Sequence, residues 1–211
     1  MTVSRFGRRL SDQGFVGQAP RPGHNVFRRS TGQRTFLGNG AAIYGGESNR
    51  IEDCLFSNFS AGCGILFSTT FPTSDADRKT DNNFSGLTVV QNCKLQRCGG
   101  SDHSWGWRGP LQICLDRRSI AVLRISQVEI LDSFSDGLTV VAPGSLKENG
   151  ILADARVERV IVRNCGIGAP GRHGLMVRED AIGALTLAEC DIPSIQNNSA
   201  HFALQTDRQK R

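Results

Sequence analysis

Two acidic residues, Glu47 and Asp116, each follow a short apolar run, which makes them candidates for paired carboxylate chemistry. Inverting hydrolysis of a glycosidic bond uses two carboxyl groups about 6.5–9.5 Å apart. If the two runs are equivalent strands two turns apart in a stack, these carboxylates lie about 10 Å apart. An insertion between them, residues 68–86, adds Asp75 and Asp77 as candidate ligand-binding groups. The alternative interpretation is that all four are ordinary solvated corner residues.

A second candidate group lies in the loop 99–110, GGSDHSWGWRGP, which contains both tryptophans of the chain, Trp105 and Trp107. His103 and Arg108 accompany them. Aromatic rings beside hydrogen-bonding side chains suit sugars, because a sugar ring has an apolar face and a polar hydroxyl edge. The alternative is that the tryptophans simply cover the flank of the fold.

The elements that must position these residues are shown by a repeat in the sequence. Five segments superimpose: RIEDCLFSNF (50–59), VVQNCKLQRC (89–98), RISQVEILDS (124–133), RVERVIVRNC (156–165) and TLAECDIPSI (186–195). Their apolar columns are Ile51/Val90/Ile125/Val157/Leu187, Cys54/Cys93/Val128/Val160/Cys190, Phe56/Leu95/Ile130/Val162/Ile192 and Phe59/Cys98/Ser133/Cys165/Ile195.

A shorter repeat lies between these segments, and its apolar residues alternate with a period of two. The pairs are Ala41/Ile43, Ile65/Phe67, Leu111/Ile113, Leu138/Val140, Leu175/Val177 and Phe202/Leu204. The steps between first members are 24, 46, 27, 37 and 27 residues. A base turn of 24 to 27 residues with two lengthened turns accounts for these steps.

Two short strands per turn, stacked column on column, predict an all-β fold: a right-handed parallel β-helix, or pectate-lyase-like solenoid, of about six turns. Each turn pairs only with its neighbours, roughly 4.8 Å away. The apolar runs are short because a corner ends each strand. A helical bundle is excluded, since no segment sustains helical apolar spacing.

The seven cysteines form no C-x-x-C pair and no zinc-type spacing with histidine. Five of them fall in the predicted interior columns, which predicts that they act as small buried hydrophobes. Cys54 and Cys93 lie on adjacent turns, so a disulfide is conceivable, although neighbours in register on parallel strands are poorly oriented for one.

Other polar residues have an ordinary explanation at corners. Asp136, in a DG pair, is predicted to serve turn chemistry, as are the acids of RED (178–180). His173 and His201 are predicted to begin successive short strands as corner residues. We therefore expect no metal site and no cofactor.

Length and composition fit one soluble globular core, with 211 residues, 38% hydrophobic and 21% charged. We predict a basic, flexible arm or weak cap at 1–23, the β-helix at 24–206 and a basic tail at 207–211. Residues 1 to 34 hold seven arginines and one aspartate. Without an aromatic platform or a known motif, this arm does not predict nucleic-acid binding. Nor does any apolar stretch predict a membrane span.

The two ends of the solenoid raise the question of self-association. Val26 and Phe27 are predicted to begin one further long strand, whose open edge could pair with another chain. Residues 1–23 contain few large apolar groups to cover it. We therefore expect self-association through the N-terminal end.

The stretch from Asn39 to Asp53, NGAAIYGGESNRIED, is the strongest part of a resemblance to a known family. Together with the Trp loop and LRISQVEILDSFSDGLTVV, it resembles the later coils of family-87 glycoside hydrolases, the mycodextranases and α-1,3-glucanases. The resemblance covers roughly residues 25 to 205. It implies a β-helix that acts on α-1,3-linked glucan, with an α-glucan as ligand, and it places Tyr44 of the YGG motif near the substrate.

The same resemblance exposes a departure. The family implies catalytic aspartates in T-D-G and G-D-D-G motifs before the YGG coil, and this chain contains neither motif. It also implies an aspartate just after YGG, where this chain has Glu47 and Ser48. The family implies secretion, whereas residues 1–18 contain no apolar signal segment.

Three hypotheses therefore stay open. The chain is a fragment or shortened form of a polysaccharide hydrolase, or it is a non-catalytic polysaccharide-binding or scaffolding β-helix. The third is another β-helix enzyme, such as a lyase or epimerase, in which Lys79 or Arg108 would serve as the basic group.

Overall fold

The computed structural model describes residues 24–35, 38–69, 84–102, 106–115, 119–142, 149–167 and 169–207. This part of the chain consists of strands and contains no helix, so none that could cross a membrane. The larger sheet has ten strands, numbered in chain order. They are β1 (Val26–Arg28), β2 (Thr31–Thr35), β5 (Arg50–Glu52), β6 (Leu55–Phe59), β9 (Leu87–Cys98), β13 (Ile120–Leu131), β15 (Ile151–Glu158), β16 (Ile161–Arg163), β18 (Ile182–Ala188) and β20 (Phe202–Asp207).

The second sheet has six short strands, one for each coil of the stack. They are β3 (Ala41–Ile43), β7 (Ile65–Ser68), β12 (Leu111–Cys114), β14 (Leu138–Val141), β17 (Leu175–Val177) and β19 (Ile195–Asn197). All pairs in both sheets are parallel and link successive coils. The predicted parallel β-helix of about six turns is therefore confirmed.

Two small pairs lie outside these sheets, at corners. Strand β4 (Gly46–Glu47) pairs in parallel with β8 (Phe84–Ser85). Strand β10 (Gly100–Asp102) pairs antiparallel with β11 (Gly106–Arg108), so the predicted Trp loop contains a hairpin.

The predicted interior columns form the core. Ile51, Val90, Ile125 and Val157 are in register on neighbouring strands, and each is at most 1% exposed. Such ladders bury each side chain against its own column and the opposite sheet, so apolar burial is continuous from coil to coil. One large cluster accordingly runs from the first described coils to Phe202.

Single residues with positive φ bend the long strands, and this explains the uneven spacing of the columns. In the first full coil, Asp53 and Asn58 have φ of 55° and 60°. They lie where successive interior positions are three residues apart instead of two, between Ile51 and Cys54 and between Phe56 and Phe59. Each bend adds one outward residue, so alternation resumes in phase on the far side. The two bend columns are Arg29/Asp53/Asn92/Gln127/Arg159/Glu189 and Asn58/Arg97/Asp132/Asn164/Ser194.

Glycines before the short strands let the coils approach closely. A Cβ on Gly137 would lie 2.5 Å from the carbonyl oxygen of Gly174, and one on Gly174 would lie 2.4 Å from that of Pro193. Backbone oxygen cannot yield as a flexible side chain can. The glycines therefore fix the corner at which each short strand begins.

The cysteines behave largely as predicted. Cys54, Cys93 and Cys98 are buried in their columns, and Cys165 and Cys190 pack half-buried against the core. All seven thiols are free, so Cys54 and Cys93 form no disulfide.

The last coil departs from the predicted repeat. Ile195, assigned above to an interior column, lies on β19 opposite Leu175 and is 40% exposed. Phe202, assigned to a sixth short strand, lies on β20 in the larger sheet, opposite Gly183. The physical reason is Pro193, which has no N–H for the ladder and ends the long-strand segment early. The chain therefore reaches the next short strand sooner.

Candidate functional site

The outward-facing residues of the short-strand sheet are buried rather than solvated. Its outward residues are Ala42, Leu66, Gln112, Thr139 and Met176, which alternate with the interior pairs and lie in register. Each is 9% exposed or less. An outward row on a solenoid is ordinarily wet, so this row is a sheltered surface that combines apolar and polar groups.

Tyr44 lies at the carboxyl end of the first short strand. It is half-buried and packs against a small cluster formed by Ala42, Cys63 and Leu66, separate from the main core. Gln112 borders the same cluster, because its Oε1 lies 3.8 Å from the Cys63 thiol. Tyr44 is therefore placed on the sheltered face, where it was predicted to be close to a ligand.

Glu47 follows at a corner built by two glycines. Gly45 and Gly46 have φ of 72° and 95°, a left-handed conformation that glycine adopts without strain. The backbone of Glu47 is held by pairing with Ser85 in β8, and its side chain is exposed. This placement is compatible with the carboxylate role and also with that of a solvated corner residue.

The other predicted site residues fall mostly outside the described residues. This is the case for Asp75, Asp77, His103, Trp105 and Asp116, so the separation of Glu47 and Asp116 stays a prediction. Trp107 and Arg108 belong to β11, where they pair with Ser101 and Gly100 of the hairpin. The described residues contain no group of three acidic, histidine or cysteine side chains suited to a metal.

Sequence reasoning missed the most unusual carboxylate. Asp136 does lie at a corner, as predicted, but its side chain is only 1% exposed. Its Oδ1 accepts a hydrogen bond from the backbone N–H of His173, at 2.8 Å, on the next coil. The guanidinium nitrogens of Arg172 and Arg178 lie 3.8 and 3.7 Å from Oδ2, too far for hydrogen bonds. A buried charge is thus attracted by two cations without being bonded by either.

Three buried side-chain oxygens around β14 have no hydrogen-bond partner among the described residues. They are Asp136 Oδ2 before the strand, Thr139 Oγ1 on it and Asn149 Oδ1 near its far end. Asn149 is otherwise anchored, since its Nδ2 donates to the carbonyl oxygens of Ala142 and Asp180. A buried acceptor left unsatisfied costs about 1–3 kcal/mol. Three such oxygens lie around one short strand, β14.

Arg178 connects the two ends of this region. It follows β17, at the carboxyl end of the sheet, whereas Asp136 precedes β14, at the amino end. Its guanidinium nevertheless lies 3.7 Å from Asp136 Oδ2, so the side chain extends from the carboxyl end of the sheet back toward the amino end. The Arg178 side chain is 39% exposed, whereas that of Asp136 is 1% exposed.

The histidines predicted as corner residues differ in position. The ring Nδ1 of His173 lies 2.6 Å from Ser194 Oγ, on the coil that follows. His201 precedes β20 of the larger sheet, so the two are not equivalent corners of successive short strands, and that part of the prediction is wrong. Neither has the ligands of a metal centre around it among the residues that the structure describes.

No family model and no curated protein sequence matches this chain. Among solved structures, it is similar to the catalytic unit of a thermostable GH87 α-1,3-glucanase from Streptomyces thermodiastaticus, with a TM-score of 0.69 and 21% sequence identity. The match covers 88% of this chain, which spans 35% of the length of that structure. The likeness to family-87 β-helices noted in the sequence is thus confirmed at the level of the fold.

Proposed function

We propose that this chain is a carbohydrate-active β-helix whose ligand is an α-1,3-linked glucan, bound along the outer face of the short-strand sheet. The observation that carries the proposal is the fold, which matches the catalytic unit of an α-1,3-glucanase over 88% of this chain. The half-buried ring of Tyr44 on this face gives it a physical basis, because an aromatic ring complements the apolar face of a sugar.

We further propose that this chain hydrolyses the glucan slowly or not at all. The T-D-G and G-D-D-G motifs are not in its sequence, and just after YGG, where the resemblance implies an aspartate, it has Ser48 next to Glu47. The chain would then be a part or a shortened form of such a hydrolase. If hydrolysis does occur, Glu47 and Asp116 are the pair we expect to carry it, with one acting as acid and the other as base.

Binding and hydrolysis are separated by one experiment on the purified 211-residue chain. We expect the protein to co-sediment with insoluble α-1,3-glucan but not with starch, and to release little reducing sugar. Tyr44→Ala should weaken co-sedimentation, whereas Leu131→Ala, on the larger sheet, serves as the matched control and should not. Retention on starch equal to that on α-1,3-glucan would contradict the assigned linkage.

Robust release of reducing sugar would overturn the second half of the proposal. Its dependence on Glu47→Gln and Asp116→Asn would then decide whether the expected pair is responsible. A chain that binds no glucan at all would favour the scaffolding alternative, for which the missing aspartate motifs are the supporting observation.

A further inference from the structure

The buried oxygens of Asp136 and Thr139 point to a binding site that the sequence did not indicate. Both lie on the coil of β14, three positions apart, and both are at most 1% exposed. Neither has a hydrogen-bond partner among the described residues. The guanidiniums of Arg172 and Arg178 lie 3.8 and 3.7 Å from Asp136 Oδ2, beyond hydrogen-bonding distance. The coil therefore carries two buried acceptors, and Asp136 has cationic donors near it.

The mixture of charges favours a neutral ligand. Two guanidiniums face one buried carboxylate, and Glu179 and Asp180, both exposed, follow Arg178 directly in sequence. The local charge is therefore nearly balanced, and a second anion would gain little. Sugar hydroxyls both donate and accept, so the hydroxyls of one ring can donate to Asp136 Oδ2 and Thr139 Oγ1 while accepting from N–H groups of the Arg178 guanidinium.

Arg178 is a partly exposed cation beside the buried Asp136 Oδ2. Its contact with Asp136 is electrostatic at 3.7 Å, without a hydrogen bond, and its side chain is 39% exposed. Moving it aside therefore breaks no hydrogen bond to Asp136. His173 keeps Asp136 in place meanwhile, because its backbone N–H holds the other carboxylate oxygen at 2.8 Å.

We infer that Asp136, Thr139 and Arg178 form a subsite for one neutral sugar ring, with Arg178 swinging off Asp136 as the ring's hydroxyls bind. This inference rests on the proposed function, since it assigns the glucan a place on the same outer face. It names a distinct group of residues, remote from Tyr44 and Glu47 along the stack.

Titration with a soluble α-1,3-linked glucotetraose tests the subsite. We expect Arg178→Met, which keeps the apolar stem, and Asp136→Asn each to weaken binding about tenfold, the effect of losing one hydrogen bond to a charged group. Glu179→Gln, the matched control on the neighbouring exposed residue, should stay within about twofold of the unaltered chain. The ¹⁵N–¹H resonance of the Arg178 Nε group should shift on addition of the sugar.

Two different results would overturn the inference. If the unaltered chain binds and both variants bind equally well, with the Arg178 resonance unmoved, the subsite is wrong while the proposed function stands. If the unaltered chain binds no oligosaccharide and no insoluble glucan, the proposed function fails and the subsite fails with it. Thermal unfolding of each variant, measured beside the titration, identifies any loss of binding that comes from unfolding.

Discussion

Two buried carboxylates, each faced by two arginines, behave differently in this molecule. Glu52, on β5, accepts hydrogen bonds from Arg28 at 2.7 and 2.9 Å and from Arg50 at 2.6 Å. Asp136, at a corner, has its two arginines at 3.7 and 3.8 Å. Glu52 is therefore hydrogen-bonded by both of its arginines, whereas Asp136 is hydrogen-bonded by neither.

The difference follows from where the arginines are attached. Arg28 is the strand partner of Glu52, and Arg50 lies two residues away on the same face, so sheet geometry sets both distances. Arg172 and Arg178 come from the segments on either side of β17, and no ladder brings them to Asp136. Strand pairing brings arginines within hydrogen-bonding distance of a carboxylate, whereas a carboxylate at a corner can keep an oxygen free to bind a ligand.

The largest effect is expected when a carboxylate is buried with no arginine near it. Val128→Asp places a charge in the interior column of β13, where Val128 is fully buried. An unpaired buried charge costs more than this fold can offset, so we expect loss of cooperative unfolding by circular dichroism. Gln127→Asp, at the exposed bend beside it, should fold normally. A soluble Val128→Asp protein with unchanged Tm would mean that the column is misassigned.

A moderate effect separates the two carboxylates directly. Glu52→Gln removes the charge from three good hydrogen bonds, and we expect Tm to fall by about 2–4 °C. Asp136→Asn keeps an oxygen for the His173 N–H and removes a charge that has no other hydrogen bond. Its Tm should change by less than about 2 °C. A larger loss for Asp136→Asn than for Glu52→Gln would show that Asp136 is structural and would reverse the comparison.

A smaller effect concerns pH. Hydrogen bonds from Arg28, and then from Arg50, lower the pKa of Glu52 below its usual value near 4.5. The ionised form is therefore favoured in the folded state, and its contribution is present above pH 4.5. That contribution is lost as the pH falls through the lowered folded-state pKa. We expect the difference in Tm between the unaltered chain and Glu52→Gln to shrink between pH 6 and pH 3. A difference that grows on acidification would contradict the assigned network.

The smallest effect concerns two buried thiols whose pKa values shift in opposite directions. The hydrogen bond with Cys93 lowers the pKa of the Cys54 thiol, whereas burial raises the pKa of Cys98 to about 12. We expect Cys54 to react with iodoacetamide faster than Cys98 in the native protein, because only the thiolate is nucleophilic. Mass spectrometry of the labelled peptides measures the order. Equal labelling rates of Cys54 and Cys98 in the native state, with an unchanged rate for Cys54 in Cys93→Ser, would show that the hydrogen bond with Cys93 does not affect Cys54.

The sequence by itself determined the architecture. The columns that begin with Ile51 and Ala41 predicted two kinds of strand, about six coils and the parallel pairing. Stacked equivalent positions repeat along the chain, so their period can be recognised from the sequence alone. The bends also left a sign in the sequence, because the interior positions on either side of Asp53 and of Asn58 are three residues apart instead of two. Only the backbone showed that the positive φ of these two residues causes that spacing. Its error at Ile195 and Phe202 came from following the period past Pro193, where a missing N–H ends the ladder.

Only the tertiary structure decided which polar residues are unusual. Asp136 and Glu47 both read as acids at corners, because a sequence records position along the chain and not the depth of a side chain. Burial and partners depend on groups far apart in sequence: His173 for one oxygen of Asp136, Arg172 and Arg178 for the other. Whether a polar group forms a hydrogen bond depends on differences of a few tenths of an ångström in the donor–acceptor distance. The periodic core could therefore be predicted from local pattern, and the site around β14 could not.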